Sequence, residues 1–185
     1  TEMYVDNTAV TTRKGIRRYL LKITGKAAHS SICQEGASAI TEASYKIIEL
    51  EKMKQADDIT INVGTINGGT TPNTVPAYVE CQIDVRFNDE KQMEEADKYI
   101  KDICSKTYIE GTSTVLELMS TRIAMSKKDY NTDLLNKMND VFKECGLSEL
   151  KARKATGGSD AAYTRRSNWA CIIAPAHIRQ GSRVT

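Results

Sequence analysis

The longest regular pattern in the chain is a two-residue alternation that follows a glycine pair at Gly68 and Gly69. Val75, Ala77, Val79, Cys81, Ile83, Val85 and Phe87 are apolar, while Thr74, Tyr78, Glu80, Gln82, Asp84 and Arg86 lie between them. This period predicts a strand with one face on a core and one face in water. Gly15 to Thr24 predicts an earlier strand, with Tyr19, Leu21 and Ile23 on one face. From Glu35 to Met53 the period changes. Ile40, Ala43, Ile47 and Leu50 step by threes and fours, the mark of an amphipathic helix. Period two returns at Ile59, Ile61, Val63 and Thr65. Glu90 to Lys106 repeats the helical spacing with Met93, Ala96, Ile100 and Ile103, and Thr112 to Ser120 predicts a fourth strand.

The predicted order is β-α-β-β-α-β. Each helix has a single apolar stripe, so both are expected to cover one face of an antiparallel four-stranded sheet. That is an α+β fold of the ferredoxin-like βαββαβ kind, with open sheet edges available to a second copy. Residues 15–122 form this unit, and residues 1–14 lead into it. After Arg122 the pattern changes. Asp129 to Cys145 predicts a third helix, with Asn131 or Thr132 as its N-cap and Gly146 just past its end. Leu147 to Lys154 suggests a short strand, and Ala170 to Ala174 another. Gly157-Gly158-Ser159-Asp160 reads as a turn into a helix capped by Ser159. Residues 123–185 are thus expected to be an incomplete α/β segment of a second domain.

Composition narrows the class of function. Hydrophobic residues make up 40% and charged residues 27%, as in an ordinary globular protein. A net charge of +2 with scattered basic residues gives no case for nucleic acid. No apolar run approaches the roughly 20 residues of a membrane span. The start, TEMYVDNTAV, reads as a piece of something longer. The five cysteines, Cys33, Cys81, Cys104, Cys145 and Cys171, show no CxxC spacing. They fit structural thiols in a reducing cytoplasm, which sets the expected localisation.

The candidate chemistry sits mainly in loops. His29 follows a strand and a Gly-Lys turn, where it is either a solvated loop histidine or a functional one. Asn73 is either a turn residue bonded to its own backbone or a ligand contact, and Gly68 and Gly69 are turn glycines supplying positive φ. Arg86 on the polar side of its strand either pairs with Asp84 or Asp89 or grips a carboxylate. The same choice applies to Arg122. Gly157 and Gly158 before a helix can present N–H groups to an anion or simply make a capping turn. A hydrolytic zinc site takes about three His, Asp, Glu or Cys ligands and an open position. The two histidines, His29 and His177, stand in no HxD or HExxH spacing. No serine, histidine and acid set suggests a nucleophilic triad.

Three stretches, RKGIRRYLLKITGKAAHS, GTINGGTTPNTVPAYVECQIDVR and TGGSDAAYT, occur in an order and spacing that resembles the co-catalytic zinc amidohydrolase family. That family includes glutamate carboxypeptidase, acetylornithine deacetylase, succinyl-diaminopimelate desuccinylase and the aminoacylases. The resemblance implies a catalytic domain with a pair of zinc ions and an inserted βαββαβ lid that dimerises. It implies a parent enzyme that cleaves the amide bond of small peptides or N-acyl amino acids. A histidine at the position of His29 would reach the partner subunit's active site and polarise the scissile carbonyl. Asn73 and Arg86 would contact substrate, Arg122 would hold its α-carboxylate, and Gly157 and Gly158 would line the pocket. The family's HxD motif, bridging aspartate and paired glutamates lie upstream of the lid and have no counterpart here. Glu2 is a candidate last upstream ligand, followed by Met3 where relatives carry proline. His177 comes early for the final ligand. The expectation is therefore a homodimer of a zinc enzyme's lid and tail, holding no metal and inactive as this chain. The alternatives are a non-catalytic dimerisation module and an unrelated ferredoxin-like ligand-binding domain.

Overall fold

The computed structural model describes residues 7–53, 59–126, 129–159 and 161–164. Contacts divide the chain into one unit at Gly15–Arg122 and a second built from the segments on either side.

The first unit is a four-stranded antiparallel sheet. Its strands are β2 (Gly15–Thr24), β3 (Thr60–Gly68), β4 (Tyr78–Phe87) and β5 (Ser113–Arg122), in the order β3-β4-β2-β5. Helices α1 (Ala39–Leu50) and α2 (Glu90–Ser105) lie on one face, α1 toward β3 and α2 toward β5. Tyr19, Leu21, Ile23, Val79, Cys81, Ile83, Val85 and Phe87 point to the helices and are buried. Their alternation with polar neighbours leaves the opposite face open, as the two-residue period requires. The α+β sandwich expected from the sequence is the one found. The helices start where their caps dictate. Ser38 Oγ accepts the Thr41 N–H at 3.1 Å, and Asp89 Oδ1 accepts the Gln92 N–H at 2.9 Å.

The α1 stripe differs from the expected one. Ala39, Glu42, Ala43, Lys46 and Leu50 are buried, whereas Ile40 is 38% exposed and Ile47 is only partly covered. A buried ion pair sets this rotation. Lys46 Nζ lies 2.9 Å from Glu42 Oε1, and both side chains are fully buried. Lys46 also donates to the carbonyls of Ile103 and Cys104 at 3.2 Å and to that of Lys106. These are the terminal carbonyls of α2, where a cation also meets the negative end of the helix dipole. Glu42 Oε2 accepts the N–H groups of Tyr108 and Ile109 at 2.9 and 2.7 Å. One pair thereby ties α1 to the end of α2 and to the loop that leads into β5.

The second unit pairs β1 (Thr8–Arg13) in parallel with β6 (Lys151–Ala155) and packs α3 (Asp129–Glu144) against β1. Ala9, Leu135 and Leu150 form its core with Met138 and Phe142. Asn131 is not the helix cap. It lies inside the first turns, 2% exposed, and its Nδ2 donates to the Thr11 carbonyl of β1 at 3.1 Å. The helix stops as foreseen at Gly146, whose φ of 69° allows Leu147 N–H to reach the Phe142 carbonyl at 2.8 Å. No helix among the described residues is long and apolar enough to cross a membrane.

Removing one partner of a fully buried ion pair leaves the other charge unpaired, at a cost of about 3–5 kcal/mol. Lys46→Met is expected to lower the unfolding free energy by that amount in urea titrations. A loss below about 1 kcal/mol would show that the clamp does not hold the two helices together.

Candidate functional site

Two strand ends carry the candidate residues, and the loops at the first are built by backbone pairing. Beyond the β2–β4 ladder the two segments stay paired as irregular backbone, with the register shifted by one residue. Gly25 N–H donates to the Ala77 carbonyl at 2.8 Å, Val75 N–H to Ala28 at 2.8 Å and Ser30 N–H to Asn73 at 3.0 Å. His29 and Thr74 form an isolated antiparallel bridge. The loops that carry His29 and Asn73 are thus brought side by side. The loop glycines act by different means. A Cβ on Gly25 would sit 2.1 Å from the Ala37 carbonyl oxygen, because the residue 26 and residue 37 backbones bond each other there. Gly69 has φ of 77° and uses its left-handed freedom. Gly68, expected to share that role, lies at the end of β3 without a positive φ. It is needed for space, since a Cβ would fall 2.5 Å from the Tyr78 carbonyl.

His29 caps a short 3₁₀ turn at Ser30–Glu35 with its ring. The Ser31 N–H donates to Nδ1 at 3.3 Å, and the Ser31 hydroxyl lies 2.8 Å from the same nitrogen. A backbone N–H has no acceptor alternative, so Nδ1 must be the accepting nitrogen. The neutral ring then carries its proton on Nε2. The exposed side of the imidazole is a hydrogen-bond donor, suited to a carbonyl oxygen or an oxyanion. Ser31 was not among the residues the sequence singled out.

The second cluster lies at the opposite end of the same sheet. Arg86 of β4 stands directly across from Ile16 of β2, which stands across from Arg122 of β5. The three occupy one row of the open face, with the arginines two strand spacings apart, about 9.6 Å. Arg86 pairs with Asp84, as one reading of the sequence had it, through Nε at 2.5 Å and Nη2 at 3.2 Å. Asp84 Oδ2 also receives Arg18 Nε at 3.2 Å. Arg122 is exposed.

The ladder sets the separation of the clusters. Ile16 and Thr24 are eight residues apart on β2, so the two ends lie about 27 Å apart at ordinary strand rise. Within one chain the sheet sets the His29 loop beside the Asn73 loop and puts Arg86 and Arg122 in one row, but it does not bring one cluster to the other.

Gly157 and Gly158 belong to the second unit and follow β6. The Gly157 carbonyl accepts a bond from Arg13 Nη1 at 3.3 Å. The helix after them is a single turn, Ala161–Thr164, with Ala162 N–H on the Ser159 carbonyl at 3.1 Å. Asp160, Glu2, His177 and the strand expected at residues 170–174 lie outside the described residues. Among the described residues no three His, Cys, Asp or Glu side chains gather into a metal-binding set. Cys81 and Cys104 are buried free thiols whose pKa burial pushes up to about 11, while Cys33 and Cys145 are exposed.

Residues 11–112 match the family model described as a peptidase dimerisation domain. Over 155 residues the chain is 25% identical to carboxypeptidase G2 of Pseudomonas sp. (strain RS-16), covering 83% of this chain and 37% of that enzyme. A tripeptidase from Staphylococcus aureus superposes with a TM-score of 0.74 at 22% identity, covering 92% of this chain and 46% of that one. An aminopeptidase from Bacillus cereus gives the same TM-score and coverage at 19% identity. At these identities the two structures speak to the fold.

The tautomer has a direct spectroscopic signature. In long-range ¹H–¹⁵N spectra of the neutral ring, His29 is expected to show a pyrrole-type Nε2 and a pyridine-type Nδ1. The reverse pattern would remove the outward donor.

Proposed function

The chain belongs to the M20 peptidase dimerisation domain family, and on that premise we propose that it is the lid and part of the catalytic domain of an amide-bond hydrolase. Its relatives by sequence are peptidases, and the chain spans 37% of the length of the Pseudomonas carboxypeptidase. The substrates we assign are small peptides or N-acyl amino acids, which offer both an amide carbonyl and a terminal carboxylate. His29 donates from Nε2 to the carbonyl oxygen, where negative charge develops as the amide is attacked. Asn73 on the adjoining loop supplies a side-chain amide. Arg86 and Arg122 hold the carboxylate. Zinc is the metal we expect for the whole enzyme. The described residues do not assemble a site for it.

The observation that carries this reading is the separation of the two clusters. A small peptide cannot span 27 Å, so one lid cannot offer both to a single substrate. Two lids can. When two copies pair antiparallel along a sheet edge, strand direction reverses across the two-fold axis, and the His29 end of one chain adjoins the Arg86 end of the other. Although β5 also exposes Val115, Leu118 and Met119, we assign this use to edge β3. The α1 helix beside it leaves Ile40 and Ile48 38% and 60% exposed, and Ile66 on the strand itself is 50% exposed. Each substrate site would then draw its oxyanion donor from one subunit and its carboxylate grip from the other.

Subunit mixing tests this. In the complete enzyme, His29→Ala and Arg86→Ala homodimers are each expected to lose at least about a hundredfold in kcat/KM, the scale of losing a transition-state donor or a charge-assisted pair. Metal content should be unchanged in both. A mixed dimer of the two variants places both defects in one site and leaves the other intact. Mixing should restore activity toward one working site per dimer. Two inactive variants that stay inactive after verified subunit exchange would show that each site uses one chain alone.

A further inference from the structure

We propose that Asp84 is a positioning residue that turns Arg86 into a preset carboxylate fork, with Arg18 balancing its charge. The inference rests on the reading of Arg86 as a carboxylate-binding residue and adds the device that orients it. An arginine presents five N–H groups along two usable edges, one formed by Nε and Nη2, the other by Nη1 and Nη2. Asp84 takes the first edge, accepting from Nε at 2.5 Å and from Nη2 at 3.2 Å. This leaves the terminal edge, which is the one that meets a carboxylate with two parallel bonds. A two-point contact fixes the plane of the guanidinium. Binding then has less side-chain freedom to remove.

A carboxylate so close to the fork would also repel an incoming anion. The register answers this. Arg18 stands directly across from Asp84 on the neighbouring strand, with its Nε 3.2 Å from Oδ2. The three side chains together carry one net positive charge. Asp84 therefore orients Arg86 without cancelling the attraction of the cluster. Asp84 and Arg86 alternate on the same strand with Val85 buried between them, so both project onto the open face.

Charge and orientation can be separated by comparing a planar anion with a spherical one. The chain, labelled with ¹⁵N, is titrated with sodium N-acetylglycinate and separately with sodium chloride at constant ionic strength. The Arg86 Nε–Hε resonance reports binding and is identified by its loss in Arg86→Lys. The wild-type chain is expected to prefer N-acetylglycinate over chloride. Asp84→Asn removes a charge, which raises the affinity for both anions alike, but keeps only one of the two orienting contacts. The preference for carboxylate over chloride should fall by about two- to tenfold, the cost of ordering one long side chain on binding. Arg18→Gln should weaken both anions together and leave the preference in place. A preference that is unchanged or increased in Asp84→Asn overturns the proposal, because Asp84 would then be idle or a competitor. A wild-type chain whose Arg86 shows no preference at all contradicts the carboxylate reading itself. The two failures are distinguishable.

Discussion

The antiparallel ladder between β2 and β4 is the constraint on which the rest depends. Its unbroken register from Gly15 opposite Phe87 to Thr24 opposite Tyr78 fixes which residues share a row and which lie at opposite ends. One end continues into the paired loops that carry His29 and Asn73. The other holds Arg86, Ile16 and Arg122 in a line. Backbone bonds fix where each group stands on the sheet, and local contacts such as Asp84 with Arg86 and Ser31 with His29 set how its side chain is turned. The rigidity of the sheet means that a single chain cannot fold the two ends together. On the proposed reading, that separation gives a dimer a chemical task beyond stability.

The helix layer depends on a different kind of contact. Glu42 and Lys46 bury two charges where a regular amphipathic helix would place leucine or isoleucine. The pair is tolerated because nearly every polar atom in it has a specified partner: two backbone N–H groups for the carboxylate, three terminal carbonyls of α2 for the ammonium. Such a clamp specifies geometry more than it adds stability. It fixes where α2 ends and how the chain turns back into β5, and β5 carries Arg122.

Much of this was legible in the sequence. Period two at Val79 to Phe87 and at Tyr19 to Ile23 reports one buried face, and the strands are where that period lies. The α1 face was misread for a physical reason: periodicity treats charged residues as solvated, so a mutually satisfied Glu42 and Lys46 shift the stripe without warning. The strand alternation also ran on to Val75 and Ala77, but Pro76 ends the ladder there and these residues pair with the His29 loop instead. Asn131 looked like a cap because Asn favours caps, whereas a tertiary bond to Thr11 claimed it. The candidate site was legible as a set of residues, with Asn73 and Arg86 already at opposite ends of one strand, but the pairing of each end was not: only the register sets the His29 loop beside the Asn73 loop and Arg122 in the row of Arg86.

The central claim, that the two ends meet across a dimer, can be measured as a distance. A spin label on Cys33 marks the His29 end, since Cys33 is exposed while Cys81 and Cys104 are buried with raised thiol pKa values. The labelled chain, carrying Cys145→Ser and Cys171→Ser, is mixed with an unlabelled partner whose isoleucine methyls are ¹³C-enriched. Ile61 of β3 lies beside the Arg86 row, so its methyl reports the other end. The account predicts strong paramagnetic broadening of Ile61 in the mixed dimer, passing from one chain to the other. A sharp Ile61 signal in a verified mixed dimer, or a chain that stays monomeric, would contradict it.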